Sequence, residues 1–442
     1  MLATETRVQN RVLLDRLQSA RAVTDQLFEI VKPAFLYERP IPERHRIVFY
    51  IGHLESFDWN LLRDRILDIP SFNPQFDQLF AFGIDPVGGG LPTDAPGDWP
   101  SLDQVRDYVR RSRESIDSAL EQAIAAVHSS QEFSPDLLLH VAIEHRLMHA
   151  ETLAYMFHQL PLHQKISISS PPQIIPAPIQ PAMIELPAGS ARLGISRRDE
   201  DQFGWDNEYE AHDIDVPAFA IDKYKVTSSQ YLEFMWAGGY DHPYYWSEED
   251  WNWRKQHNVS HPIFWKLVNG QWHYRTMFSE IELPLDWPVY VSHAEASAYA
   301  RWAGKSLPTE AQWHRAAYGP STGSEKLYPW GNDAPQPKFG NFDFEGWNPT
   351  PVNASAAGQS ALGVHDLLGN GWEWTSTIFA PFPGFQPFSF YPGYSANFFD
   401  GKHYVMKGAS ARTAACMLRP SFRNWFQAHY QYVYAGFRCV SN

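Results

Sequence analysis

The chain has very little cysteine, no surplus of basic residues and no long apolar run. Its two cysteines, Cys416 and Cys439, are too few for a disulfide framework and form no Cys-x-x-Cys metal motif. We expect both to behave as small buried side chains, with a reactive thiol as the alternative. A disulfide-rich scaffold and a cysteine-based zinc site are therefore excluded.

The charge balance is acidic, with 50 Asp and Glu against 36 Lys and Arg and a net charge of −14. Nucleic acids and anionic membranes bind basic surfaces, so neither is expected as a partner. A membrane span needs a run of about 18 apolar residues, which the sequence lacks. The first 21 residues carry charges and no apolar segment of signal-peptide length, so we predict a cytoplasmic protein. These features leave the oligomeric state open.

The first 160 residues do contain apolar side chains at helical spacing. Four segments show this pattern: residues 10–32, 43–66, 101–127 and 137–160. Pro33 ends the first helix, and Ser101 and Ser134 are placed to cap the third and the fourth. Residues 83–100 are rich in glycine and proline and predict a loop. Four helices of this length joined by loops indicate a bundle.

The fourth helix carries two histidines, His145 and His149, four residues apart. Residues at this spacing lie on one helix face, so both imidazoles can point to one position. Two neutral imidazoles make half of a divalent-metal site, and Glu151 could orient one of them by a hydrogen bond. The alternative is a surface helix that happens to carry histidines. His53 on the second helix could complete the site inside the bundle.

A proline-rich connector separates this bundle from the rest of the chain. We predict a helical domain at 1–165, a linker at 166–182 and a second domain at 183–442. The second domain shows helical spacing at 228–236, 293–303 and 309–317. Its remainder is aromatic and rich in loops, and long ordered loops usually carry function.

The second domain resembles the formylglycine-generating-enzyme, or sulfatase-modifying factor, family, whose fold is a variant of the C-type lectin fold. The motifs that carry this resemblance are Leu307-Pro308-Thr309-Glu310-Ala311-Gln312-Trp313, Tyr328-Pro329-Trp330-Gly331-Asn332, Asp366-Leu367-Leu368-Gly369-Asn370-Gly371-Trp372-Glu373-Trp374-Thr375 and Gly436-Phe437-Arg438. We expect Trp313, Trp372 and Trp374 to be core residues. The copper-binding cysteine pair of formylglycine-generating enzymes is not recognisable, so oxidation of protein cysteine is not expected.

A histidine-bearing, DinB-like four-helix bundle ahead of this fold resembles the ergothioneine sulfoxide synthase superfamily. The resemblance implies an α+β protein of two domains and a non-heme Fe(II) enzyme. Members use O2 to join sulfur or selenium to C2 of the imidazole of hercynine. Their iron ligands, one histidine on an early helix and an H-x3-H-x-E motif, correspond to His53, His145 and His149, with Glu151 at the end of the motif. Glu55 or Asp58 could instead supply a carboxylate ligand beside two histidines.

The resemblance also implies a hercynine pocket lined by Asn424 and Trp425, which follow Arg423 as in the Arg-Asn-Trp motif of the family. An aromatic side chain can hold the trimethylammonium group of hercynine by cation–π attraction. The alternative is that Trp425 is simply packed within residues 422–426.

Three positions depart from the family pattern and concern the pocket for the sulfur or selenium donor. Met148 stands where many members have glutamine, and Phe426 where members that use γ-glutamylcysteine have aspartate. Residues 81–85 lack the tyrosines of the corresponding family segment. We therefore favour the selenoneine synthase branch, which takes a selenosugar donor and which residues 52–60 and 82–86 resemble. An ergothioneine synthase that uses cysteine or γ-glutamylcysteine is the alternative, and a non-catalytic lectin-like binding module is a further one.

Two groups of side chains have roles that remain open. The acidic candidates for binding sugar hydroxyls are Asp85, Asp94 and Asp98. The candidate proton donors, which the pattern does not rank, are Tyr391, Tyr394, Tyr430, Tyr432 and Tyr434.

Overall fold

A computed structural model describes residues 2–81, 91–125, 134–173, 179–199, 202–320 and 324–441. The chain divides into two compact units, Met1–Ser169 and Ser170–Asn442. The division falls inside the predicted linker, of which residues 174–178 lie outside the described ranges. None of the helices in those ranges is long and apolar enough to cross a bilayer.

The described part of the first unit is helical. Its helices are α1 (Leu2–Glu29), α2 (Ile47–Leu62), α3 (Pro74–Leu79), α4 (Leu102–Ala125) and α5 (Pro135–Gln159). The four long helices are the four that the apolar spacing predicts, and the predicted bundle is confirmed. The spacing does not predict α3, which begins with an Asn-Pro pair. The Asn73 side chain accepts a hydrogen bond from the Phe76 amide at 3.2 Å, and Pro74 occupies the first helical position.

The helix ends agree in part with the predicted caps. The Ser101 hydroxyl accepts a hydrogen bond from the Gln104 amide at 3.4 Å, as an N-cap should. Ser134 does precede α5, but in the described structure its side chain makes no capping hydrogen bond, so that prediction is wrong in its mechanism. Pro135 starts α5 instead, since its fixed φ suits the first helical turn.

Helix α5 is the centre of the first unit, because buried residues occupy every side of it. It packs along α1 and against α2, and α2 also packs along α4. A helix that is buried all round can direct side chains into the interior from several faces. Both α2 and α5 therefore present their histidines to the core.

The second unit combines short strands with four short helices in the described ranges. The strands are β1 (Met183–Leu186), β2 (Gly189–Leu193), β3 (His212–Val216), β4 (Phe219–Asp222), β5 (Trp265–Val268), β6 (Gln271–Arg275), β7 (Glu280–Glu282), β8 (Gly371–Ile378), β9 (His403–Ala409), β10 (Asn424–Gln427), β11 (Ala435–Gly436) and β12 (Val440–Ser441). They form four sheets, ordered β1-β4-β12, β10-β9-β8-β11, β2-β3 and β5-β6-β7.

The helices of this unit are α6 (Ser228–Trp236), α7 (Glu248–Gln256), α8 (His293–Trp302) and α9 (Glu310–Tyr318). Three of them are predicted by spacing, whereas α7 is not, because eight of its nine residues are only partly buried or exposed. Its N-terminus is nevertheless well capped: the Ser247 hydroxyl accepts from the Asp250 amide at 3.1 Å.

The tryptophans of the motifs are core residues, as predicted. Trp313, Trp372 and Trp374 are all buried, and the Trp374 indole donates to the Val291 carbonyl at 2.8 Å. Cys439 is buried, as expected, but Cys416 is only partly buried. Strand β10 carries Asn424 and Trp425 and pairs antiparallel with β9.

Candidate functional site

Three histidines meet inside the first unit: His53 on α2, and His145 and His149 on α5. Each offers one ring nitrogen, and the three nitrogens lie within 4.8 Å of one another. The ring centroids are 5.4 Å apart for His53 and His145, 5.0 Å for His53 and His149, and 4.5 Å for the pair on α5. Among the described residues, this is the cluster of His, Cys, Asp or Glu side chains that could hold a metal ion.

The hydrogen bonding of these rings suits metal ligands. The Nδ1–H of His53 donates to the Phe80 carbonyl at 2.7 Å, which leaves Nε2 as the free lone pair. In the described structure neither that Nε2 nor either ring nitrogen of His149 has a hydrogen-bond partner, although all are buried. Buried polar atoms without partners are costly. A divalent ion would supply the missing partner, because neutral imidazole is a good ligand for iron and zinc.

The surroundings keep all three rings neutral. Burial lowers the pKa of His53 to about 4 and holds the pKa values of His145 and His149 well below the ordinary histidine value. Arg146 nearby lowers each of them further. A histidine must be unprotonated to bind a metal, so these rings are ready as ligands at neutral pH.

Aromatic side chains fix the ring planes of two of the histidines. Phe57 stacks on His145 with centroids 3.4 Å apart, and Phe49 stacks on His53 at 4.9 Å. Phe49 and Phe57 lie four residues before and after His53, so they share its face of α2. Sequence reasoning did not single out these two residues, although this spacing could have identified them.

The carboxylates considered as rival ligands have other partners. Glu55 accepts from the Arg146 guanidinium at 2.9 Å and from Arg113 at 2.6 Å, and Asp58 accepts from Arg146 at 2.6 Å. The described side chains whose ligand atoms lie within 4.8 Å of one another are the three histidines, and neither carboxylate belongs to that group. The alternative of two histidines and one carboxylate is therefore not supported by the contacts.

Two further residues predicted near the ligands lie on α5. Glu151 is buried and comes two residues after His149, which places it about 200° around the helix. Met148 is partly buried and directly precedes His149. Their predicted roles, ligand orientation for Glu151 and substrate contact for Met148, stay predictions.

The residues expected to bind hercynine lie on β10 of the second unit. Trp425 is partly buried and stacks on Phe379 with centroids 4.1 Å apart and planes 7° from parallel. Tyr394 meets its ring at 5.5 Å in a T-shaped arrangement, and Phe398 lies at 5.6 Å. Trp425 thus packs against several aromatic rings, which agrees with the alternative that it is a packing residue. Its role in binding hercynine stays a prediction.

The neighbours of Trp425 have partners of their own. The Asn424 side-chain oxygen accepts from the Trp425 amide at 2.9 Å, and the Phe426 ring stacks on Tyr430 at 5.0 Å. Among the candidate proton donors, Tyr394 contacts the Trp425 ring. The predicted binding roles of Asn424 and Phe426 also stay predictions.

The described loop carboxylates that were suggested to bind sugar hydroxyls accept hydrogen bonds from other groups of the protein. The carboxylate of Asp94 accepts from Arg46 at 2.9 Å and from the Trp99 indole at 2.8 Å, and it also pairs with Arg39. Asp98 accepts from the Ala95 amide at 2.7 Å. Asp98 holds its own loop together and Asp94 joins that loop to Arg39 and Arg46, so the suggestion for them is not supported. Asp85 and residues 82–86 lie outside the described ranges.

Known protein families match both halves of the chain. Residues 172–442 match the family described as sulfatase-modifying factor enzyme 1-like domain, and residues 16–153 match the DinB superfamily. Hercynine oxygenase of Mycolicibacterium smegmatis is 34% identical over 458 residues, an alignment that covers 99% of each chain. The chain belongs to the hercynine oxygenase family. The predicted superfamily and the two-domain α+β fold class are thereby confirmed.

Other relatives of the hercynine oxygenase family align over less of their length. Hercynine oxygenase of Mycobacterium tuberculosis is 42% identical over 249 residues, which is 56% of this chain and 57% of that protein. Ergothioneine biosynthesis protein 1 of Schizosaccharomyces pombe is 27% identical over 459 residues, which is 92% of this chain and 53% of that protein. The chain thus spans about half the length of the fission-yeast relative.

Proposed function

We propose that this chain is a non-heme iron(II) enzyme that uses O2 to form a carbon–selenium or carbon–sulfur bond at C2 of the imidazole of hercynine. One observation carries the proposal: His53, His145 and His149 form a buried cluster of neutral imidazoles in a chain that aligns end to end with a hercynine oxygenase. The enzyme is oxidative and depends on O2, in keeping with that family.

The overall reaction balances as hercynine plus a selenol or thiol plus O2, giving the selenoxide or sulfoxide plus water. The C2–H bond and the Se–H or S–H bond break, and a C–Se or C–S bond forms. One oxygen atom ends on selenium or sulfur, and the other leaves as water with the two hydrogens. The substrates supply four electrons to O2, so no further reductant is consumed in this balance.

Three imidazoles leave coordination positions open, and iron(II) bound there would supply the binding and activation of O2. The protein's own contribution is to keep the ligands unprotonated and their orientation fixed. Burial keeps the rings neutral, the Phe80 carbonyl sets the tautomer of His53, and Phe57 fixes the plane of His145.

We propose that Asn424 and Trp425 bind hercynine. The trimethylammonium group of hercynine is a permanent cation, which an aromatic cluster can hold without a carboxylate. Trp425, Phe379, Tyr394 and Phe398 form such a cluster in the second unit. The chemistry of these rings supports the assignment.

We propose a selenosugar as the donor of the second atom. Met148 and Phe426 place partly buried apolar side chains where many family members have glutamine and where the members that use γ-glutamylcysteine have aspartate, respectively. An apolar side chain cannot form the hydrogen bonds or ion pairs that recognise a γ-glutamylcysteine, so these two residues favour a different donor.

The test is donor competition with iron-loaded full-length protein, hercynine and O2. Selenosugar, cysteine and γ-glutamylcysteine are offered separately and then together, and products are identified by mass. We expect the selenium product to predominate. Turnover with a thiol alone would defeat the selenium assignment while leaving the coupling reaction in place, and no product with any donor would contradict the proposed function.

The ligand assignment is tested by replacing His149 with alanine. This change should remove stoichiometric iron binding and product formation, because one of three ligands is lost. His140→Ala is the matched control, since it makes the same change on the same helix outside the cluster. Full iron content in the His149 variant would contradict the assignment.

A further inference from the structure

Arg146 is a fully buried arginine that directly follows the ligand His145 on α5. One guanidinium nitrogen donates to the Asp58 carboxylate at 2.6 Å and to the Leu54 carbonyl at 3.0 Å. The other terminal nitrogen donates to the Glu55 carboxylate at 2.9 Å. These three acceptors belong to α2, the helix of the third ligand, and Leu54 is the residue next to His53; the nitrogen that contacts Glu55 also donates to the Thr24 hydroxyl on α1 at 3.4 Å.

These bonds join the two helices at the level where the ligands must meet. One residue along a helix is a rise of about 1.5 Å. Metal–ligand distances tolerate deviations of only about 0.2 Å. A slip of α5 past α2 by a fraction of one residue would therefore separate His53 from the other two ligands. A planar guanidinium that donates to several acceptors resists this slip, because its donors are rigidly spaced.

We propose that Arg146 is a positioning residue for the metal centre, holding His145 and His149 in register with His53 by tying α5 to α2. The inference rests on the proposed metal-dependent function. It gives Glu55 and Asp58 a role as anchors for Arg146 instead of as ligands. This role also explains why the buried charges of Arg146, Glu55 and Asp58 lie beside three neutral imidazoles, which do not themselves require a charged neighbour.

A second arginine provides a matched control. Arg113 on α4 donates with both terminal nitrogens to Asp25 on α1, at 2.7 and 2.8 Å, and also contacts Glu55. Its Nε and one terminal nitrogen donate to Glu55 on α2, at 2.9 and 2.6 Å, so Arg113 links α4 to α1 and α2, whereas Arg146 links α5 to α2. Removing Arg113 together with Asp25 deletes a more exposed ion pair and two donors to Glu55, while the hydrogen bonds from Arg146 to α2 stay in place.

The test variants remove the tie while limiting uncompensated buried charge. In Arg146→Met with Asp58→Asn, one positive and one negative charge are lost together, because an unpaired buried charge would itself destabilise the fold. Arg146→Lys keeps the charge but replaces the planar fork by a single ammonium. The control is Arg113→Met with Asp25→Asn. Each full-length protein is first checked for folding by circular dichroism and then titrated with Co(II).

The readouts are the Co(II) dissociation constant and the intensity of its visible ligand-field bands. We expect binding to weaken by about 10- to 100-fold in the Arg146→Met, Asp58→Asn protein, with altered bands, as is typical when groups that support metal ligands are lost. Arg146→Lys should weaken binding less, and the control should match wild type. If the double variant does not fold, Arg146→Lys decides the question in the same way.

Two results would overturn the inference, and they are distinguishable. A folded Arg146 variant with the wild-type dissociation constant and spectrum would show that the ligands keep their register without this arginine. Wild-type protein that binds no Co(II) and no Fe(II) would refute the metal centre and the proposed function together.

Discussion

Gly52 lies directly before the ligand His53, and an alanine there should disturb the site through a single contact. A Cβ added at Gly52 would stand 2.5 Å from Cδ1 of the Phe80 ring and 2.6 Å from two further ring atoms. Ordinary carbon–carbon contacts lie at about 3.5 Å or more, so the ring must move by about 1 Å. Phe80 is fully buried and packs on Trp99, Phe76 and Tyr108, so the ring has little room to move.

Three free-energy contributions decide the outcome of Gly52→Ala. Overpacking a filled core costs about 1–3 kcal/mol. The Phe80 carbonyl accepts the His53 hydrogen bond, and losing that bond costs about 1 kcal/mol. Alanine in a helix interior returns about 1 kcal/mol relative to glycine. The net expectation is a loss of about 2 kcal/mol, or roughly 4–8 °C in the melting temperature of a unit of this size.

The assay is thermal and denaturant unfolding of the full chain, with and without Co(II). The transition that Co(II) shifts upward belongs to the unit that binds the metal. We expect this transition to fall in Gly52→Ala and Co(II) affinity to weaken, because His53 loses its orienting partner. Gly97→Ala is the control, since a Cβ there has nothing within 4 Å. A Gly52→Ala protein more stable than wild type, with unchanged affinity, would refute the reasoning.

Two further predictions concern the second unit. Trp425→Ala should weaken hercynine binding by about 1–2 kcal/mol if the cation–π contact forms, measured by calorimetry; unchanged affinity would make Trp425 a packing residue only. Burial raises the pKa of Asp206 from 3.8 to about 6, although Ser395 donates to its carboxylate. Its folded state therefore favours the proton, and stability falls as pH rises from about 4 through 6, by up to about 3 kcal/mol. Asp206→Asn should remove this loss, so the free energy of unfolding of the variant relative to wild type should rise between about pH 4 and pH 6 and then stay constant, measured by denaturant titrations.

Much of the first unit could be predicted because the information is local. Apolar residues at helical spacing predict the four long helices, and the four-residue interval of His145 and His149 places them on one face. Helix α3 was not predicted because it is only six residues long and lies between prolines, so it is too short to show helical spacing. Its signal in the sequence is the Asn73 cap before Pro74. In the second unit, α7 was not predicted because it has little apolar face to detect.

The partners of the charged residues could not be predicted from spacing. Glu55 and Asp58 lie near His53 in the chain and are chemically suitable ligands, but in the structure both form ion pairs with Arg146. Asp94 carries a carboxylate, which could bind sugar hydroxyls, yet it pairs with Arg39 and Arg46 of its own unit. Such pairings depend on which long side chains reach across a packed interface.

The sequence by itself determined the four long helices of the first unit, three of the four helices of the second, the motifs of both families and the three histidines that form the buried cluster. These are properties of neighbouring residues and of short intervals, which a linear pattern records. Only the tertiary structure decided that the Phe80 carbonyl orients His53, that Arg146 occupies the carboxylates and that Trp425 lies against Phe379. Those contacts join residues far apart in the chain, and they follow from how helices and strands pack, which residue spacing does not encode.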